Sequence, residues 1–266
     1  MGAAARTEPP PDGDAPSVRP PTGPAAWRVG AIEDDEPERL LESGERLLAR
    51  LEADPTPTLR WYRPTRPAVV AGRGQRDLLA RSTSTMPVLR RVSGGGAVLL
   101  DDGLLSLDVA LPADHPWLEG DDLGAVFLRL GEAWAEALSS LDVGALAVHT
   151  GPSTTPRRDH PTDALLARVC YASLGRGEVT ADGRKLVGLS QRRRRHGALV
   201  QCGILRRWRP RTLLEVLGAD PDDPRVHAAA VGLDDLLAEP PSDEAIAEAL
   251  GTALRRATGT GQDREP

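Results

Sequence analysis

Lys185 is the only lysine among 33 basic residues. Arginine serves a solvated face as well as lysine does, but it cannot replace a compact ammonium on a flexible stem where one oxygen must be approached closely. Lys185 lies in Asp182-Gly183-Arg184-Lys185-Leu186-Val187-Gly188, just past a turn and at the rim of an expected strand. An ammonium there suits the charge that develops on an acyl carbonyl or acyl phosphate during nucleophilic attack. Cys170 stands fifteen residues earlier, and a loop plus a hairpin would return it to the same pocket. Beside that positive charge its thiolate would be stabilised and could accept an acyl group. The ordinary alternative for a free cysteine is a small buried hydrophobe, and Cys202, inside an apolar run, is read that way.

A second cluster is Arg90-Arg91-Val92-Ser93-Gly94-Gly95-Gly96-Ala97. Three successive glycines let backbone amides approach a ligand, and a guanidinium fork beside open amides suits a carboxylate or phosphate. A plain hairpin turn is the competing reading. The loop has neither the spacing of a dinucleotide fingerprint nor the terminal Lys-Ser/Thr of a P-loop. Arg192 to Arg195 form the strongest basic run, either a solvated loop or a docking face for an acidic partner. The five histidines show no metal-ligand spacing, so no metal site is expected.

These residues need a scaffold, and 266 residues can bury a core without metals or disulfides. A net charge of -6 excludes a global positive field for nucleic acid. Two cysteines make no disulfide framework, and no apolar run approaches a membrane span, so a cytoplasmic protein is expected. Seven prolines mark residues 1–25 as a disordered tail, and 259–266 as a second. Leu40, Leu41, Leu47, Leu48 and Leu51 predict a first helix. A strand pair is expected over 59–62 and 68–71, and a strand with one buried face over 105–111. A long helix should follow over 123–138, then a strand over 141–148 and a hairpin at 178–189 in which Lys185, Val187 and Leu189 share a face. Residues 198–205 read as another strand, and 219–258 as a small helical segment after a domain over 26–218. This order suits an α+β or mixed α/β fold, with a mixed or antiparallel sheet flanked by helices.

The sequence resembles the lipoate-protein ligase family, which groups with biotin ligases and octanoyltransferases. The resemblance rests on residues 90–98, on Gly183-Arg184-Lys185-Leu186-Val187-Gly188-Leu189-Ser190-Gln191, on His196-Gly197 with Leu199, and on Trp61-Tyr62 and Gly72-Arg73-x-Gln75. It implies a biotin/lipoate protein ligase-like catalytic domain that attaches lipoate or octanoate to one lysine of a lipoyl carrier domain. The carriers implied are those of 2-oxoacid dehydrogenase complexes or the glycine cleavage carrier protein.

By the same resemblance Lys185 would contact the reacting oxygens. Arg91, Ser93, Gly94, Gly95, Gly96, Ala97, Gly188 and Arg73 would hold substrate or adenylate, and Trp61 would line the acyl tunnel. Where the family's ligases carry His-Asp-x-Gly-Asn, this chain reads Leu100-Asp101-Asp102-Gly103-Leu104, so a polar contact to nucleotide or metal is missing. Cys170-Tyr171-Ala172-Ser173 resembles the cysteine segment of octanoyltransferases that relay the acyl group through a thioester. The first expectation is a ligase using ATP and Mg2+ through an acyl-adenylate. The alternatives are an ATP-independent transferase acting through Cys170, then biotin attachment or a noncatalytic acyl- or carrier-binding protein on the same scaffold.

Overall fold

The computed structural model describes residues 27–120, 122–154 and 163–259. The tail expected over 1–25 lies outside the described residues, as does the one over 259–266 except for Gly259, which closes the last helix. Two very short strands, β1 (Arg28–Val29) and β2 (Glu33–Asp35), precede helix α1 (Pro37–Arg50). Pro37 at its start, Glu38 in its first turn and Arg50 in its last suit the helix geometry and dipole, and Leu40, Gly44 and Leu48 form its buried stripe. Then come β3 (Thr58–Pro64), β4 (Ala68–Ala71), β5 (Val88–Arg90), β6 (Val98–Leu100), β7 (Leu104–Pro112), helix α2 (Ala125–Ser139) and β8 (Leu146–Val148). After β9 (Val179–Ala181), β10 (Arg184–Arg194) and β11 (Gly197–Leu205) the chain turns helical, with α3 (Arg211–Leu217), α4 (Pro224–Ala229), α5 (Leu233–Leu236) and α6 (Asp243–Gly259).

The main sheet runs β1-β3-β7-β11-β10-β9-β8, with β2 also beside β3, and a small sheet runs β5-β4-β6. The fold is the expected mixed α/β arrangement, largely antiparallel, with β1 and β2 parallel to β3 and β4 parallel to β5. The strand pair expected from β3 and β4 does not form. One edge of β3 is taken by β7 and the other by β1 and β2, so β4 pairs elsewhere. The strand expected over 141–148 shortens to β8, because Asp142 and Ala145 adopt positive φ of 61° and 51°. Leu123 lies ahead of α2 and is exposed rather than part of the helix's apolar stripe. The arginine run is no free loop: β10 extends through Arg194 in a hairpin with β11.

Register sorts the central strands into two faces. Trp61, Leu107, Cys202 and Leu189 are cross-strand partners in one row, and Leu59, Val109 and Val200 in another. This apolar face meets α2, where Trp61 and Trp134 stand edge to face at 5.8 Å. The helix α6 packs on α2 and adds Ile246, Leu250 and Leu254 to the same core. The helical segment beyond residue 218 thus shares the main core. The opposite face carries Arg60-Asp108-Gln201-Ser190 and Tyr62-Ser106-Gly203-Gly188 as adjoining rows. It too is covered, partly by α1, so β7 is buried on both faces rather than one.

Candidate active site

The glycine loop, residues 93–97, connects the small sheet to the polar face. Close backbone contact here depends on Gly96 in the loop and on Gly72 facing it. A Cβ on Gly72 would lie 2.0 Å from the carbonyl oxygen of Gly95, itself at φ +99°, and one on Gly96 would lie 2.6 Å from the Cys170 nitrogen. Ala97 N–H donates to Arg168 O (2.7 Å) and Cys170 N–H donates to Ala97 O (2.9 Å). The loop thus abuts the cysteine segment directly. Arg91, expected to hold substrate, is buried and directs its guanidinium inward, to Gly94 O (2.9 Å), Gly96 O (2.7 Å) and Val70 O (3.4 Å). Ser93 Oγ donates to Gln201 (3.1 Å) and lies 3.2 Å from Ser190 Oγ, which seats the loop on the main sheet.

Cys170 is half-buried at the start of a short 3-10 turn, residues 170–172. Lys185 reaches it, as expected, but through the backbone: Nζ donates to Cys170 O at 2.9 Å and Ser173 O at 3.0 Å, and pairs with Glu178 at 2.6 Å. The expected shared face of Lys185, Val187 and Leu189 is broken by a bulge. Lys185 pairs with Thr180 but Val187 with Val179, so the extra Leu186 places Lys185 and Val187 on opposite faces. Lys185 therefore joins Gly188, whose added Cβ would lie 3.3 Å from Lys185 Cε and 3.2 Å from the Tyr171 ring. Tyr171 lies over the Gly188 and Gly203 pair, donates to Gly203 O (2.7 Å), and presents its ring to Lys185 Nζ at 5.1 Å. Burial pushes its phenol well above the usual value. Burial also pushes the Cys202 thiol up to about 12, in keeping with a structural role.

A pocket opens between the polar face, the small sheet and the cysteine segment, with an empty volume of about 540 Å³ including its mouth. Leu41, Val70, Val98, Leu100 and Leu104 give it apolar walls, while Tyr62, Ser106, Ser190 and Gln201 form a polar side. A second, more polar cavity is lined by Gly94, Gly95, Gly96, Ser173, Glu178 and Lys185. Cys170 lines both. Trp61 does not line the tunnel, because alternation turns it into the α2 core and puts Tyr62 in its place. Arg73 is exposed, its N–H donates to Ser93 O at 3.0 Å, and it lines neither cavity.

Residues that sequence reasoning missed complete the site. Asp108 is fully buried and accepts from Arg60 (3.0 Å), Tyr62 (3.4 Å) and Gln201 (3.4 Å). Desolvation nevertheless raises its carboxyl to about 6. Its place among alternating apolar residues of β7 was the available signal. Glu178 had none, since its contact with Lys185 depends on the bulged hairpin. Among the described residues no group of three or more His, Cys, Asp or Glu side chains forms a metal cluster.

Residues 36–255 match the family described as the lipoyl protein ligase A/B catalytic domain. The chain belongs to that family. A relative of this chain is the octanoyltransferase LipM of Moorella thermoacetica, 34% identical over 164 residues. The match covers 58% of this chain and 57% of the Moorella protein, somewhat over half its length. The octanoyltransferase LipM of Kyrpidia tusciae is 30% identical over 225 residues, 80% of each protein. The lipoyl ligase A/B fold is seen also in lipoate-protein ligase A bound with ATP (TM-score 0.60, 17% identity, 87% of this chain and 85% of that one). It recurs in the bipartite lipoate protein ligase of Thermoplasma acidophilum (TM-score 0.59, 19% identity, 87% and 83%).

Proposed function

We propose that this member of the lipoyl protein ligase A/B family transfers an octanoyl or lipoyl group through a thioester on Cys170 to a lysine of a lipoyl carrier domain. The observation that carries the reading is the position of Cys170 where an apolar pocket meets a polar cavity, beside the Lys185 ammonium. In the first step the Cys170 thiolate attacks the carbonyl carbon of an acyl thioester, and the donor thiolate leaves and takes up a proton. In the second the carrier's lysine amine attacks the Cys170 thioester, loses a proton and forms the amide, and the Cys170 thiolate departs. No bond in this sequence requires a nucleotide.

The route through an acyl-adenylate, first among the expectations from sequence, has less support. The curated relatives are octanoyltransferases. The residues at hand do not fit a nucleotide either: the donors of Arg91 and Lys185 are engaged by protein oxygens, and Leu100 and Leu104 line the pocket where ligases carry histidine and asparagine. We therefore derive no step through ATP. The carrier is assigned by family, as one T. acidophilum relative is described with its E2 lipoyl domain. A thiol nucleophile must stay reduced to act, and the cytoplasm, which keeps thiols so, is the compartment this reading proposes.

Intact mass spectrometry tests the proposal. An octanoyl thioester without ATP should add one octanoyl group to the protein, and an apo lipoyl domain should then remove it and gain it. Cys170→Ser should abolish both steps. Carrier modification from free octanoate that requires Mg-ATP and survives Cys170→Ser would overturn the thioester route in favour of ligation.

A further inference from the structure

We infer that Glu178 is the positioning residue that fixes Lys185 against the backbone of Cys170 and keeps its positive charge beside that residue. An ammonium has three hydrogens to donate. In Lys185 all three directions are occupied, by Glu178 Oε2 (2.6 Å), Cys170 O (2.9 Å) and Ser173 O (3.0 Å). No donor remains for an acyl oxygen, so Lys185 acts on the acyl group through the cysteine segment it holds.

Glu178 is itself held in place. It is buried, and besides Lys185 it accepts the Gly175 N–H on Oε2 at 2.6 Å and the Leu189 N–H on Oε1 at 3.0 Å. These contacts tie the turn after Cys170, the start of β9 and two points of β10 into one unit. With Lys185 only 2% exposed, removal of the carboxylate leaves a buried ammonium without its counter-charge, a state that proteins avoid by releasing the proton or the side chain to water. Either response takes the positive charge away from Cys170, and thiolate is the reactive form of that residue.

This inference rests on the thioester reading, but alkylation tests it independently of acyl transfer. Iodoacetamide reaches the half-buried Cys170 in preference to the buried Cys202, and peptide mass identifies the modified thiol. At pH 7 Glu178→Gln should alkylate at Cys170 about tenfold more slowly than wild type. In octanoyl-thioester assays its kcat for acylation should fall by a similar factor with KM unchanged. The double variant Glu178→Gln/Lys185→Met removes both charges and should regain thermal stability while Cys170 stays slow. A purely structural Glu178 would show lost stability with a wild-type alkylation rate, or a double variant whose alkylation recovers with its stability, and either result overturns the inference. Should Glu178→Gln not fold, Glu178→Asp keeps the charge but withdraws it by one methylene. Slowed alkylation there supports positioning, and a wild-type rate overturns it. Absence of acyl-Cys170 in wild type would sink the thioester proposal, and the alkylation rates would still decide the role of Glu178.

Discussion

The two faces of β3, β7, β11 and β10 are both covered and are built on opposite rules. On the α2 side, Trp61, Leu107, Cys202 and Leu189 form an apolar row, and Trp61 meets Trp134 edge to face. On the other side, one residue along each strand, Arg60, Asp108, Gln201 and Ser190 form a polar row that reaches Ser93 of the glycine loop. Beside it, glycines at 188 and 203 clear the space for Tyr171. The apolar face contributes stability by burial, while the polar face gives up part of that contribution to hold a shaped pocket and a nucleophile. Strand parity alone separates the two roles.

The largest expected effect falls on the apolar face. Trp134→Ala empties the site of a fully buried side chain and should cost about 3–5 kcal/mol in urea unfolding, while the folded fraction keeps its acylation rate. A loss of rate in the folded protein would blur the division.

The polar face should reveal itself through pH. Burial raises the Asp108 carboxyl from 3.8 to about 6, so between these values the native chain holds a proton that the unfolded chain has lost. Stability contributed by this group is present at low pH and is lost as pH rises through that window, by about 3 kcal/mol if the whole shift is realised. Its contribution levels off about one pH unit above 6. Denaturant titrations of wild type and Asp108→Asn at several pH values between 4 and 7 should differ by this slope, and parallel curves would refute the assignment.

A smaller and more local effect is expected at Gly203. An added Cβ meets Tyr171 Oη at 2.8 Å and Leu104 Cδ1 at 3.0 Å, so Gly203→Ala should cost about 1–3 kcal/mol and slow acylation of Cys170. Its neighbour on the other face provides the control. Cys202→Ala should lower stability by about 1 kcal/mol and leave the acylation rate unchanged in the same mass assay. The smallest effect belongs to Arg73, exposed and outside both faces. Arg73→Ala should change stability by less than about 0.5 kcal/mol, and a raised KM for the acyl donor would show that the residue meets substrate after all.

Much of the site was legible where its signal was local. A run of three glycines, a lone lysine past a turn, and a cysteine within reach of it are visible without partners, and each lies at the site. What those residues do was less legible. Arg91 reads as a ligand for anions but serves as an internal brace, because loop closure brings the carbonyls of Gly94 and Gly96 to its guanidinium. Gly96 reads as an open amide for a ligand, yet it makes room for the Cys170 backbone. Trp61 and Tyr62 are adjacent, and the choice between them as pocket residue turned on which face the helices cover.

By itself, the sequence determined the strand and helix periods, the family to which the chain belongs, and the presence of Cys170, Lys185 and the glycine loop among its chemical groups. These follow from residue type and short spacing, which act within a few positions of the chain. Only the tertiary structure decided which strand face is a pocket, that a bulge turns Lys185 toward Gly188, and that Glu178 and two carbonyls take up its ammonium. The physical reason is that these outcomes depend on pairing register and on close approach between segments distant in the chain. Arg60 and Asp108 meet across 48 positions, and Ser93 and Gln201 across 108.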